Sequence, residues 1–202
     1  MTDATTETAS PSPAGERRWR DDLHLAHTIA DQVDPLTRGH FEAQDVEVET
    51  KPDLTPVTAA DREAERLIRD YLSRARTRDS VLGEEFGVTG HSPRQWIIDP
   101  IDGTKNFVRG VPVWATLISL VEDGRVVVGL ASAPALGKRW WAVAGGGAWS
   151  GRSLALAHQL HVSGVTALED ASLSYSSLSG WAERRRLRGM LSLMQGCWRT
   201  RA

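Results

Sequence analysis

The chain has 202 residues, 41% hydrophobic and 25% charged, which suits one sizeable domain or one domain and part of another and excludes a largely disordered polypeptide. Its 24 Lys and Arg against 26 Asp and Glu give a net charge of -2, so there is no electrostatic footprint for nucleic acid or an anionic membrane. A lone cysteine, Cys197, excludes an internal disulfide framework, fits a reducing compartment and reads as a small strand residue.

Residues 1–16, MTDATTETASPSPAGE, carry no apolar run and no early basic cluster, and are expected to form a disordered tail rather than a signal peptide. No segment reaches the roughly eighteen unbroken apolar residues of a membrane span, so a soluble, cytoplasmic protein is expected. From Arg17 to about Val33, apolar Trp19, Leu23, Ala26, Ile29, Ala30 and Val33 recur at helical spacing and predict an amphipathic helix. His24 and His27 lie within it, with no further Cys or His nearby, and read as helix residues rather than metal ligands.

Val46–Thr50 alternates as a strand does, and Pro52 and Pro56 keep the following stretch out of a helix. Ala60, Ala64, Leu67, Ile68, Tyr71 and Leu72 then mark one face of a second helix. Thr58 followed by Asp61 resembles a capping box, and Asp61 taken alone reads as a capping residue.

SVLGEEF is a short strand ending in Glu84 and Glu85, and RQWIID is a strand ending in Asp99. From Val113, two β-rich runs flank Asp123-Gly124, a strong hairpin signal. RWWAVAGGGAWSGRSLAL reads as a strand, a Gly-rich turn and a return; no Lys-Ser/Thr follows the glycines, so they are not a nucleotide loop. Beyond His161, ASLSYS, LSGWAERRRLRGMLSLM and GCWRTR read as strand, helix and strand, with Arg184 to Arg186 a solvated helix face. The expected domains are therefore an α+β unit over residues 17–160, with an antiparallel sheet between about Val46 and Leu156, and the opening of an α/β unit over residues 161–202.

Acids thus gather at strand ends and a helix start: Glu84, Asp99, Asp102 and Asp61. Several ionised carboxylates at close quarters repel, and a divalent cation is the usual way to hold them together. An oxygen-rich set without a Cys/His cluster implies Mg²⁺ rather than zinc. Pro100 and Ile101 are expected to turn the chain so that Asp99 and Asp102 converge and a carbonyl points inward, while Gly103 and Thr104 open a short helix whose amides would suit a phosphate. Metal beside phosphate is the equipment of phosphate-ester hydrolysis.

DLTPVTAADREAE, GEEFG and WIIDPIDGTKNF resemble the three N-terminal motifs of the inositol monophosphatase family of Mg²⁺- and Li⁺-responsive phosphatases. The run DPIDGTKNFVRGVPVWATLISL is most similar to that family's histidinol-phosphatase branch as found in actinobacteria. The resemblance implies a layered α-β-α-β-α sandwich whose C-terminal α/β part is incomplete in these residues. It implies that Glu84, Asp99, the carbonyl of Ile101 and Asp102 ligate Mg²⁺, that Thr104 with Asp61 orients the attacking water, and that Gly103 and Thr104 hold phosphate. Glu85 would support the ligands from behind, and Lys51 sits where the family has a mobile-loop lysine. The implied partner is a small phosphorylated metabolite, histidinol phosphate first and inositol-1-phosphate or another sugar or nucleotide ester second; a homodimer is left open.

The family also supplies a metal-binding aspartate from a Trp-Asp motif in its C-terminal half, and these residues contain no Trp-Asp pair. A truncated chain, and with it an inactive metal- and phosphate-binding fragment, is therefore the expectation of a different class. A haloacid-dehalogenase-like phospho-aspartyl mechanism is rejected, because its two acids stand two residues apart and Asp99 and Asp102 stand three apart.

Overall fold

The computed structural model of the chain describes residues 13–43, 48–50 and 56–201. Helix α1 spans Pro13–Ala43, so it begins inside the stretch expected to be a tail and continues well past Val33. Pro35 lies within it, where a proline removes one intrahelical bond and crowds the turn before it at a cost of about 3 kcal/mol. Tertiary contacts hold the second half in place: Arg139 donates to Asp31 at 2.6 Å and to Asp34, Thr37 is fully buried, and Phe41 meets Phe107 and Trp114 with ring centroids 5.6 and 5.5 Å away.

Strands β1 (Val48–Thr50) and β2 (Pro56–Thr58) form an antiparallel pair; Val46 and Lys51 lie outside the described residues. Thr58 caps α2 (Ala59–Ala75) through the box expected from sequence: its hydroxyl accepts the Asp61 N–H at 3.3 Å, and its own N–H donates to Asp61 Oδ2 at 2.8 Å.

The main sheet has eight strands in the order β10-β9-β8-β7-β6-β5-β3-β4. They are β3 (Ser80–Gly83), β4 (Gly87–Thr89), β5 (Arg94–Asp102), β6 (Ala115–Glu122), β7 (Arg125–Ala133), β8 (Lys138–Val143), β9 (Gly147–Ser153) and β10 (Leu156–Leu160). Its pairings are antiparallel, as expected, except that β3 and β5 run parallel. The hairpin β6–β7 turns at Asp123-Gly124, and a five-residue helix α3 (Thr104–Val108) joins β5 to β6.

Helices α1 and α2 cover one face of this sheet. Leu23, Ala26, Ile29, Ala30 and Val33 of α1 and Ala64, Ile68 and Leu72 of α2 bury against Trp96, Ile98, Ile118, Leu120, Val128 and Leu130. A smaller apolar cluster, Ala60, Ile101, Phe107 and Trp114, joins the start of α2 to the end of β5 and to α3.

The chain forms two compact units, one through Leu160 and the other over His161–Ala202. In the second, β11 (Ser172–Ser174) pairs in parallel with β12 (Arg199–Arg201), the strand-helix-strand order read from sequence. The single helix expected there is two, α4 (Ser179–Glu183) and α5 (Leu187–Gly196). Arg185 adopts φ 56°, with its N–H donated to the Ala182 carbonyl at 2.9 Å and that of Arg186 to Trp181 at 2.8 Å. Those two bonds are the Schellman stop, here with an arginine where glycine is usual, which is why the pattern read as continuous. Among the described residues no helix is long and apolar enough to cross a membrane.

Candidate active site

The site begins with strand register. Gly83 of β3 lies opposite Ile98 of β5 in the parallel pair, so Glu84, the residue after β3 ends, comes beside Asp99 within β5. On the other side of β5, Asp99 pairs with Leu117 and Asp102 with Ala115. Three steps along β5 therefore oppose two along β6, which is a bulge.

The bulge decides the chemistry. Side chains alternate faces along a strand, so two residues three apart would point to opposite sides of a regular one. The extra residue resets the phase and puts Asp99 and Asp102 on the same face. Pro100 fits there because a bulge asks for no ladder N–H, and its carbonyl accepts the buried Thr116 hydroxyl at 2.8 Å. The turn expected at Pro100-Ile101 is thus a bulge within a strand that continues to Asp102. Ile101 is 1% exposed and anchors the bulge in the small apolar cluster.

Gly103 follows at φ 93°, and a Cβ there would lie 3.1 Å from the Val113 carbonyl oxygen. Both its conformation and its clearance call for glycine. Thr104 opens α3 and donates its hydroxyl to the Ile101 carbonyl at 3.2 Å. The amides at the start of a helix lack intrahelical acceptors, and those of Gly103 and Thr104 stand at the start of α3.

Burial pushes the Asp99 carboxyl up to about 7, reinforced by the charges of Glu84 and Asp102 and by a hydrogen bond shared with Glu84; a backbone bond at Ile101 acts in the opposite sense. Asp99 Oδ1 is buried with no hydrogen-bond partner. Glu84 and Asp102 are exposed and Asp99 is half-buried. Among the described residues no three Asp, Glu, His or Cys side chains stand together at metal-ligand distance, so the acids converge on Asp99 without closing around one point. The donor set nevertheless fits a hard divalent cation. All its atoms are oxygens, its charges destabilise one another, and its central carboxylate carries an orphaned acceptor.

Asp61 is 2% exposed, and its Oδ2 also accepts the Thr58 hydroxyl, at 2.5 Å. The capping role read from sequence is present, and its neighbour Ala60 packs in the same cluster as Ile101 and Phe107. Glu85 is half-buried and donates its backbone N–H to Glu65 Oε2 at 2.7 Å. Glu65 itself was missed. It stands one turn after Asp61, within the apolar stripe of Ala64, Ile68 and Leu72, and an acid in such a stripe is the signal that could have found it.

Carboxylates gathered by adjacent strands beside glycine and threonine at a helix start match the equipment of a metal-dependent phosphatase. Residues 19–200 match the profile of the inositol monophosphatase family, and the chain belongs to that family. It is 65% identical over 188 residues to the histidinol-phosphatase of Streptomyces coelicolor, covering 91% of this chain and 71% of that protein. It is 57% identical over 183 residues to the histidinol-phosphatase of Mycobacterium tuberculosis, covering 90% of this chain and 70% of that one. Among solved structures, the extragenic suppressor protein suhB of Bartonella henselae superposes with a TM-score of 0.79 at 29% identity, over 90% of this chain and 69% of that one.

Proposed function

We propose that this phosphatase hydrolyses histidinol phosphate to histidinol and phosphate with Mg²⁺ as its cofactor. The observation that carries the chemistry is the orphaned, buried Asp99 Oδ1 beside Glu84 and Asp102. The substrate rests on the 65% identity to a protein named for that activity.

In this reading Glu84, Asp99, Asp102 and the Ile101 carbonyl hold the metal. When bound, Mg²⁺ supplies Lewis acidity, making a water nucleophilic near neutral pH and offsetting charge on the ester oxygens. The Thr104 hydroxyl, which donates to the Ile101 carbonyl, would offer its oxygen as an acceptor that orients the attacking water, and the Asp61 carboxylate would take up the proton that the water loses. The Gly103 and Thr104 amides hold the phosphate oxygens, so that the phosphorus faces the water.

Phosphate release by the purified chain, from histidinol phosphate and from inositol-1-phosphate, with Mg²⁺ and with chelator, tests this. Faster Mg²⁺-dependent release from histidinol phosphate is expected. A preference for the inositol ester would move the substrate to the family's other branch. Mg²⁺ binding without turnover on any ester would leave a metal- and phosphate-binding protein.

A further inference from the structure

Glu65 is completely buried in α2, and its carboxylate accepts three hydrogen bonds. Oε2 accepts the Glu85 N–H at 2.7 Å, while Oε1 accepts the Phe86 N–H at 3.2 Å and Arg69 Nε at 2.7 Å. Arg69 carries the bracing to the far side of the same loop, donating Nη1 to Thr89 Oγ1 at 2.7 Å and Nη2 to the Gly87 carbonyl. Arg66 and Arg69 stand 5.1 and 6.0 Å from the centre of the Phe86 ring. The loop that carries Glu84 is therefore held at consecutive amides from beneath and at its carbonyl side by one guanidinium.

The strand end is shaped for this carboxylate. A Cβ on Gly83 would lie 2.0 Å from Glu65 Oε1, so the residue before Glu84 must be glycine for Glu65 to reach the amides. Burying a carboxylate is costly unless its hydrogen bonds repay it, and an apolar side chain like those of Ile68 and Leu72 would serve packing alone. What only a carboxylate does here is fix the Glu85 and Phe86 amides, and with them the direction in which Glu84 leaves β3.

We propose that Glu65 is a positioning residue: braced by Arg69, it aims Glu84 at Asp99 and so sets the affinity of the site for a divalent cation. The proposal rests on the reading of Glu84, Asp99 and Asp102 as metal ligands. Its test is read first without substrate, so that its failure and the failure of the proposed activity are separable.

Mg²⁺ affinity would be measured by calorimetry on the wild-type chain and on Glu65→Gln, Arg69→Lys and Gly83→Ala. Glutamine keeps the shape of Glu65 but turns a donor toward donors, lysine cannot span Glu65, Gly87 and Thr89 together, and alanine pushes the carboxylate off its amides. Each variant is expected to weaken Mg²⁺ binding about tenfold or more, the usual cost of losing a group that orients a ligand. Excess Mg²⁺ should restore turnover, with KM for the ester at saturating metal changed far less than the metal affinity. Amide exchange at Glu85 and Phe86 should quicken in Arg69→Lys. A purely structural role would lower the melting temperature and leave Mg²⁺ affinity and these amides unaltered. Unchanged affinity in the folded variants, or a wild-type chain that binds no Mg²⁺, overturns the proposal. If Glu65→Gln fails to fold, the other two variants and the exchange measurement decide it. Wild-type binding without ester hydrolysis counts against the proposed activity alone.

Discussion

Gly83 and Ile98 face one another across the parallel pair β3 and β5, and because of that pairing Glu84, just past the end of β3, stands beside Asp99 of β5. Burial first, then the charges of Glu84 and Asp102 and a hydrogen bond shared with Glu84, hold a proton on Asp99 to about pH 7. The parallel register and the bulge of β5 together gather the acids.

Asp102 lies at the exposed end of that bulge. Asp102→Asn removes a ligand charge without changing shape. Mg²⁺-dependent phosphate release should fall on the order of a hundredfold, as for other groups that act electrostatically at the reacting centre. The melting temperature should barely move, since surface changes usually stay within about 0.5 kcal/mol. Activity assays and thermal melts on the same preparation check both halves.

Asp99 gives the site a pH dependence. Its folded-state pKa of about 7 lies above the ordinary carboxylate value of 3.8, so its proton is bound more tightly in the folded, metal-free chain than in the unfolded one. Its contribution to stability is fully present below 3.8 and is lost as pH rises through about 7. Asp99→Asn should therefore be more stable than the wild type at pH 8 without metal, and the gap should close toward pH 4. Mg²⁺, which competes with that proton, should bind the wild type more tightly as pH rises through 7. Denaturant melts and calorimetry across this range measure the two effects.

His27 titrates in the opposite sense. It is 5% exposed, its Nε2 has no hydrogen-bond partner, and its ring stands edge-on to Trp141 at 4.6 Å. Burial, and then the charge of Arg139, lower its pKa from 6.5 to about 4, against the pull of Asp31. Folding favours the neutral ring, so stability is intact above pH 6.5 and is lost as pH falls through about 4. The loss amounts to roughly 3 kcal/mol at about 1.36 kcal/mol per pH unit. His27→Phe should flatten this part of the acid transition, as seen in denaturant melts of the two proteins between pH 7 and pH 4.

Arg139 ties α1 to the sheet through Asp31, Asp34 and the Ser132 hydroxyl, which accepts its Nε–H at 2.9 Å. Arg139→Ala leaves the half-buried Asp34 with the Ser132 hydroxyl as its remaining donor among the described residues, so stability should fall by less than the about 3–5 kcal/mol that breaking a fully buried pair costs. Amide exchange should quicken most in the turn of α1 around Asp31 and Asp34, just before Pro35, where this network holds the helix. A variant matching the wild type in both stability and exchange would show that the network is incidental.

Much of the site can be read from residue order because its chemistry is local. The capping box of Thr58 and Asp61, the hairpin at Asp123-Gly124, and the Asp-Pro-Ile-Asp-Gly-Thr run each lie within a few residues, where backbone preference and side-chain type leave few alternatives. The apolar faces of α1 and α2 follow from their periodicity in the same way. Tertiary structure alone decided the rest. Helix α1 passes Pro35 because Arg139, Phe107 and Trp114 reward the extension, and no window around Pro35 contains them. Asp99 and Asp102 share a face because β6 pairs across a bulge, and strand phase is a property of the pair rather than of either strand. Glu65 reads as one acid among several on a helix until the fold brings the Glu85 and Phe86 amides to it. Sequence patterns carry short-range preferences, whereas register and burial between distant residues arise only when the whole core packs.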